Sequence, residues 1–250
     1  MEIAGDLEAV GLHATARALD ELVLEATRKK QSYGDFLASV LSLELADRAT
    51  KRETMLMRLA HFPQVKTMES FDFAHLPDLD PKVVAELRSL RFVRSHENLL
   101  LLGPPGIGKS HLAVAIGVEA ARSGHKVYFT TLEEMIKRLS RTSASPKSLR
   151  VYVGCSLLII DEVGYLPMGP AEAHLFFQVI SARYERGSVI ITSNKGVGEW
   201  GEYLSDATLA AALLDRFLHH CHVLNLKGNS FRLKDKVKDS KAKGKGVEKS

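Results

Sequence analysis

Cysteine is scarce in this 250-residue chain, and long apolar runs are missing. Its two cysteines, Cys155 and Cys221, cannot build a disulfide framework and fit a reducing compartment. Apolar runs such as Leu99–Leu102 and Leu157–Ile160 are far shorter than the ~20 residues that span a bilayer. The first ten residues place acids where a secretory signal needs a basic stretch and an apolar run. We therefore expect a soluble cytoplasmic protein.

The composition also lacks the bias of disordered or fibrous proteins, since 45% of the residues are hydrophobic and 26% are charged. The net charge of +4 is unevenly placed, because residues 227–250 hold nine basic and three acidic side chains. The rest of the chain is therefore slightly acidic. We predict a basic tail at 233–250, which is a solvated disordered end, a non-specific contact to nucleic-acid phosphates, or both.

Residues 1–66 are predicted to form a small all-helical domain. Their apolar side chains fall on two helical stripes, which are Leu12, Ala16, Leu19 and Val23, and then Leu37, Leu41 and Leu45. Gly34 is expected to separate the two helical segments, and Pro63 to end the second. A two-helix segment buries little surface by itself. We therefore predict that it docks a partner; a helical packing unit is the alternative.

Residues 67–232 show the alternation of an α/β domain. A linker at 61–80 leads to a helix that begins at Pro81. Strands are predicted at 98–102, 126–130, 157–161, 188–192 and 223–226, and helices at 109–123, 132–141, 172–186 and 208–219. Such alternation is typical of a parallel sheet flanked by helices on both faces. Ligands of these sheets bind at the carboxyl ends of the strands, so the chemistry is expected just after residues 102, 161 and 192.

A glycine-rich loop follows the first predicted strand. It has the pattern G-x-x-x-x-G-K-S directly before a helix, which is the context that a phosphate-binding loop needs. Glycines let several backbone N–H groups point at one phosphate, and the helix N-terminus adds a positive dipole end. We assign ATP binding to Gly103, Pro104, Pro105, Gly106, Ile107, Gly108, Lys109, Ser110 and the adjoining His111. Lys109 can reach the β- and γ-phosphates, and the Ser110 hydroxyl can bind Mg²⁺.

Two acidic residues stand at the end of the buried strand that is predicted at 157–161. Asp161 and Glu162 follow four apolar residues, about fifty residues after the loop. Asp161 fits the acid that holds Mg²⁺ in a P-loop NTPase. Glu162 fits a base that orients and activates the attacking water. An exposed acidic turn is the alternative.

Two later residues are candidates for contact with the γ-phosphate. Asn194 follows another β-rich run and can hydrogen-bond the attacking water or the phosphate. Arg216 lies on a predicted helix and is expected to act as an arginine finger in the site of a neighbouring subunit. Arg183 and Arg186 are rival fingers, and Arg232 is a candidate second phosphate sensor.

Basic side chains between the second and third predicted strands are the first candidates for a DNA-binding surface. They are Lys137, Arg138, Arg141, Lys147 and Arg150, within a Ser- and Pro-containing stretch expected to be a flexible loop. The histidines at 219, 220 and 222 beside Cys221 have no second ligand pair at zinc-finger spacing, so packing or a surface role is expected. Trp200, Phe176 and Phe177 are expected to pack in the core or in a subunit contact.

The motif order from Asn98 to Arg232 resembles an AAA+ ATPase. The segments LLIIDEVGY, RYERGSVIITSN, EWGE and LLDRFLHHCHVLNL resemble the IstB family more narrowly. These are ATP-binding helper proteins of insertion-sequence transposition, related to the DnaC-type helicase loaders. The resemblance implies an AAA+ core at 67–232 and self-association into a ring or spiral multimer on duplex DNA. It further implies DNA bending, docking of a transposase by the N-terminal helices, and ATP hydrolysis that drives disassembly.

Three alternative functions stay open. A replicative helicase loader would use the same ATPase with another partner. A small-molecule kinase shares the phosphate loop but gives Asn194 and Arg216 no required role. A nucleotide-gated adaptor would bind ATP with little hydrolysis, and Glu162 argues against it.

Overall fold

The computed structural model describes residues 2–73, 76 and 79–228. The chain divides into two compact units, Met1–Met55 and Leu56–Ser250, with the division inside the third helix. Arg232 and the predicted basic tail at 233–250 lie outside the described residues. Among the helices of the described part, none is long and apolar enough to cross a bilayer.

The first unit is helical, as predicted. It contains α1 (Glu2–Ala9), α2 (His13–Lys29) and most of α3 (Tyr33–Leu59). The break between α2 and α3 lies at Lys30, which has a left-handed φ of 50°, and the Ser32 hydroxyl then accepts from the Asp35 N–H at 3.2 Å. The prediction that Gly34 separates the segments is therefore wrong. Gly34 lies in the first turn of α3, because the serine cap precedes it.

A buried carboxylate ties the helices of this unit together. The residue before α2, Leu12, has no capping side chain, and Glu44 of α3 accepts from the first backbone N–H groups of α2 instead. The Glu44 carboxylate lies 3.0 Å from the nitrogen of Ala14 and 3.3 Å from that of Thr15. An acid at a helix N-terminus satisfies open donors and opposes the positive end of the dipole.

The second unit is a five-stranded parallel sheet with helices on both faces, which confirms the predicted α/β class. Its strands, in the spatial order β2-β3-β4-β1-β5, are β1 (Asn98–Leu102), β2 (Val127–Thr131), β3 (Leu157–Val163), β4 (Ser188–Ser193) and β5 (Cys221–Asn225). Its helices are α4 (Pro81–Arg88), α5 (Arg91–Arg94), α6 (Lys109–Arg122), α7 (Leu132–Arg141), α8 (Pro146–Val153), α9 (Pro170–Arg183), α10 (Trp200–Tyr203) and α11 (Ala207–Leu218). A short 3-10 helix, Val197–Glu199, precedes α10.

The apolar core forms two layers, one on each face of the sheet. Alternate residues of β1 point to opposite faces, so Leu99 and Leu101 join the layer under α6, while Leu100 joins the layer under α7, α9 and α11. Trp200 and Phe176 are fully buried in the second layer, as expected, and Phe177 packs at its margin.

The carboxyl ends of β3, β4 and β1 lie side by side, because these strands are neighbours in the sheet. The three segments that are predicted to carry the chemistry therefore meet at one edge of the sheet.

The stretch predicted as a flexible loop between β2 and β3 is instead mostly helical. Arg141 ends α7, and Pro146 begins α8 after a short turn. The Ser145 hydroxyl accepts from the Ser148 N–H at 3.4 Å, and Pro146 occupies the first helical position. Serine followed by proline is a turn signal, but the same pair is also a helix cap and a preferred first helical residue.

Candidate ATPase site

The phosphate loop requires glycine at two positions, because its main chain passes close to other atoms there. It joins β1 to α6, and Gly103 and Gly108 have φ values of 151° and 107°. A Cβ on Gly103 would lie 2.5 Å from the carbonyl oxygen of Leu226, just after β5, and one on Gly108 would lie 3.1 Å from the Phe71 ring. A side chain at either position would be strained in conformation and short of space. Glycine at both positions therefore lets the main chain of the loop adopt this conformation.

Lys109 is held inside the loop that it follows. Its ammonium donates to the carbonyl oxygens of Gly103 at 2.7 Å and Pro104 at 2.9 Å, and its side chain is buried. A positive charge and several main-chain N–H groups at a helix N-terminus suit a polyphosphate. Lys109 thus lies beside the loop, and its phosphate-binding role stays a prediction.

Two hydroxyl groups and one carboxyl group connect the start of α6 with β3 and β4. The Ser110 hydroxyl donates to Asp161 Oδ1 at 2.8 Å, and the Thr192 hydroxyl donates to the same oxygen. Thr192 also accepts from the Glu162 N–H at 3.1 Å. Sequence reasoning missed Thr192, although it stands in the segment that predicted Asn194. Hard oxygen ligands of this kind suit Mg²⁺, so Ser110 and Asp161 fit a magnesium ion carried by ATP.

Glu162 lies in an irregular part of β3. Its φ is 63°, and the pairing of β3 with β4 shifts between Ile160 and Val163. The side chain is exposed and lines a cavity of about 560 Å³ with residues of α7, including Lys137. The left-handed region of φ is unfavourable for a non-glycine residue, so its occurrence here indicates that the surrounding structure holds Glu162 in this conformation. The bulge therefore separates the exposed Glu162 from its buried neighbour Asp161.

Asn194 is exposed directly after β4 and lies near the end of β3. A Cβ on Gly164 would come within 2.9 Å of the Asn194 side-chain oxygen, and Gly164 has a φ of 96°. The amide thus adjoins Gly164, which lies two residues after Glu162 in the chain. The fold brings together the loop, both acids and this amide, which is the arrangement that the sequence predicts.

His111 contacts a different segment from the loop. Its Nε2 lies 3.2 Å from the Ser70 hydroxyl, and its ring meets the Phe71 ring edge-on at 5.0 Å. Burial and the charge of Lys66 lower the pKa of His111, which favours a neutral ring. Its assignment to nucleotide binding stays a prediction.

Arg216 packs on α9 of its own chain. Its guanidinium donates to the Ser181 hydroxyl and lies 4.7 Å above the centre of the Phe177 ring. Stacking on an aromatic face holds a planar cation in one orientation. The half-buried side chain is thereby fixed on the α9–α11 pair.

Arg183 is a structural residue, so its prediction as a rival finger is wrong. Its guanidinium is buried and donates to backbone carbonyls at the end of α8, before β3 and in β4. Burial lowers the pKa of this group. A side chain enclosed this way cannot reach another subunit, whereas Arg186 is exposed and stays a candidate.

The five basic side chains of the predicted DNA surface are all exposed, but they face different places. Lys137 and Arg141 line the cavity beside Glu162. Arg138 turns to the other side of α7 and donates to the Tyr128 hydroxyl at 3.1 Å. Lys147 and Arg150 lie on α8. Lys137 and Arg141 are therefore the pair that is close to the acids.

Comparison with known proteins agrees with this geometry. A family model described as IstB-like ATP binding protein matches residues 5–239. The chain is 46% identical to the "insertion sequence IS5376 putative ATP-binding protein" of Geobacillus stearothermophilus, over 82% of this chain and 83% of that one. It is 45% identical to its IS21 counterpart of Pseudomonas aeruginosa, with coverages of 88% and 84%. Its fold is similar to that of AMPPCP-bound DnaA from Aquifex aeolicus, with a TM-score of 0.54 and 22% identity over 76% of this chain and 57% of that one.

Proposed function

The chain belongs to the family of IstB-like ATP-binding proteins, with an AAA+ type of P-loop fold, and we propose that it is an ATP-dependent, DNA-binding regulator of insertion-sequence transposition. The observation that carries this proposal is the junction of the phosphate loop with Asp161, Glu162 and Asn194 at one edge of the sheet. In this proposal ATP binding assembles chains on duplex DNA, the assembly bends the DNA and recruits a transposase, and hydrolysis dissolves the assembly.

ATP would be held by the loop that encloses Lys109, with Ser110 and Asp161 holding its magnesium ion. A bound Mg²⁺ neutralises charge on the β- and γ-phosphates. Glu162 would take a proton from the attacking water, and the nearby Asn194 amide would orient that water or the γ-phosphate. The Thr192 hydroxyl bonds the Asp161 carboxylate and the Glu162 N–H, and these bonds would fix the position of the metal-holding acid relative to the base.

The proposed subunit contact explains why ATP would drive assembly. Arg216 is held on α9 of its own chain by Ser181 and Phe177. From there we propose that it reaches the γ-phosphate bound by a neighbouring subunit. A triphosphate would then contact two chains at once, whereas a diphosphate would lose the group that the guanidinium contacts.

Duplex DNA is proposed to lie against α7 through Lys137 and Arg141. Each cation that contacts a phosphate releases counterions, so binding should weaken as salt rises. In the double variant K137A/R141A we expect weaker binding to any duplex sequence and a salt dependence whose log–log slope is smaller by about 2. Fluorescence anisotropy with a labelled duplex, ATP and a salt series measures both quantities.

The matched control removes the same charge elsewhere. Arg122→Ala with Lys126→Ala changes two exposed cations at the amino end of the strands, at the end of α6 and just before β2. Equal weakening in this control, or an unchanged slope in K137A/R141A, would count against the proposed DNA surface.

The transposase is proposed to bind a leucine stripe on α3. Leu37, Leu41 and Leu45 lie one turn apart and expose 56%, 48% and 65% of their surfaces. An apolar row of this kind on a polar helix is typical of a binding surface. It supports the docking function that the sequence predicts for this unit.

We expect Leu41→Asp in the full chain to abolish co-purification with the transposase encoded by the same element, while ATP hydrolysis stays unchanged. Ser42→Asp adds the same charge at the adjacent exposed position and should leave the complex intact. If L41D retains the transposase, the stripe is not the docking surface. If the full chain captures a replicative helicase instead, the helicase-loader alternative gains support.

A further inference from the structure

The turns at the amino end of the sheet bring together two histidines and one glutamate. Glu185 lies between α9 and β4, and His219 and His220 lie between α11 and β5. One ligand atom of each side chain lies within 4.8 Å of those of the other two, and all three residues are exposed. We propose that these residues bind a transition-metal ion of the zinc class. The site is at the opposite end of the strands from the phosphate loop.

The three side chains lie close together, so that small side-chain rotations would bring them to one ion. The two imidazole rings are 4.1 Å apart between their centres, and His220 Nε2 lies 3.9 Å from the Glu185 carboxylate. The Tyr184 hydroxyl lies 2.9 Å from His219 Nδ1. A metal-bound histidine commonly uses its other ring nitrogen for such a hydrogen bond, which fixes the orientation of the ring.

The chemistry of the ligands selects the ion. Two imidazole nitrogens and one carboxylate oxygen suit Zn²⁺ or Co²⁺, with water in the remaining position. Mg²⁺ prefers oxygen ligands alone, so the ion that accompanies ATP would not compete well here. Glu185 also has a left-handed φ of 57°, so the backbone of this turn departs from its preferred conformation at a ligand residue.

The adjacent Cys221 and His222 do not join this cluster. The His222 Nε2 lies 2.6 Å from the Glu97 carboxylate, and burial raises the pKa of the Cys221 thiol to about 12, which disfavours the thiolate. The histidines have no second ligand pair at finger spacing in the sequence, because Glu185 is far away along the chain. The fold supplies it from another turn.

A bound ion would connect the ends of the two helices that hold Arg216. The α11 helix carries Arg216 and ends at Leu218, directly before His219, while α9 carries Phe177 and Ser181 and ends directly before Tyr184. The ion would therefore stabilise the α9–α11 pair. The metal site itself does not depend on the function proposed above, because its ligands are distinct from those of ATP.

Calorimetric titration of the full, nucleotide-free chain with Zn²⁺ at pH 7.5 tests the site. We expect one ion per wild-type chain, with affinity lowered at least about tenfold in H219A, H220A and E185Q. His174→Ala removes an exposed histidine of α9 that is not part of the cluster, and it should not change the Zn²⁺ affinity. C221S should bind Zn²⁺ as the wild type does. Substoichiometric Zn²⁺ should raise the melting temperature of the wild type and of H174A but not of H219A/H220A.

Co²⁺ provides an independent readout. The visible absorption of a four- or five-coordinate Co²⁺ complex should appear with wild type and be lost in H219A/H220A. Equal Zn²⁺ affinity in wild type and the double variant would overturn the proposal, as would an equal loss in H174A. E185Q preserves the size of the side chain, so loss of binding by this folded variant separates ligation from a folding defect.

Discussion

Replacing Arg216 by alanine is expected to lower the rate of ATP hydrolysis by about a thousandfold or more, while a single chain still binds ATP. An arginine finger stabilises charge on the γ-phosphate in the transition state, and contributions of this size are typical. The phosphate loop and Lys109 do not involve Arg216, so affinity for the nucleotide should be retained. Hydrolysis measured by phosphate release, with ATP affinity measured by equilibrium titration, separates the two effects.

Two further measurements show whether Arg216 acts on the next chain. A mixture of R216A and E162Q chains should regain hydrolysis, because one chain supplies Glu162 and the other supplies the guanidinium. Arg186→Ala is the control, because Arg186 is an exposed arginine that the sequence also offers as a candidate finger. Full activity of R216A, or no recovery in the mixture, would contradict a finger acting between subunits. Melting temperatures check that loss of the Phe177 and Ser181 contacts has not unfolded α11.

Glutamine at position 162 is expected to slow hydrolysis by roughly a hundredfold or more and to trap ATP. The amide keeps the size of the side chain but cannot accept a proton from water. Because hydrolysis is proposed to dissolve the assembly, E162Q should form longer-lived multimers on duplex DNA. Single-turnover hydrolysis and light scattering after dilution measure the two consequences.

A nearby acid provides the control for this variant. Glu172 lines the same cavity, and its carboxylate accepts from the Gly169 N–H at 2.9 Å at the start of α9. E172Q should therefore hydrolyse ATP at close to the wild-type rate. Unchanged hydrolysis in E162Q would remove Glu162 from the proposed mechanism.

The positions of the phosphate loop and the two acids could be predicted because the sequence signal of each is local, whereas their roles toward ATP stay predictions. The loop directly follows β1 and the acids follow the apolar residues of β3, and in a parallel sheet the carboxyl ends of neighbouring strands meet at one edge. Strands and helices alternate clearly enough that β1 and α7 have the predicted bounds. Turn chemistry was more ambiguous, since the Ser145–Pro146 pair predicted a loop but begins a helix.

Residues whose partners are distant along the chain could not be assigned from sequence. Arg183 stood among candidate fingers because nothing in the nearby sequence shows that it is buried under carbonyls of α8 and β4. Thr192 is an ordinary β-strand residue until the fold places Asp161 beside its hydroxyl. These contacts depend on how β3 and β4 pair, which only the assembled sheet determines.

The carbonyls gathered around Arg183 limit where this chain can change length. The guanidinium bonds Tyr152, Cys155 and Ser188, at distances of 2.6, 3.0 and 2.7 Å. A planar group with donors in fixed directions can satisfy them together only while each connecting turn keeps its length. One inserted residue near 154 or 187 would leave an enclosed acceptor without its donor. Natural insertions and engineered tags should therefore be tolerated far better in the turn between α7 and α8 than in these two.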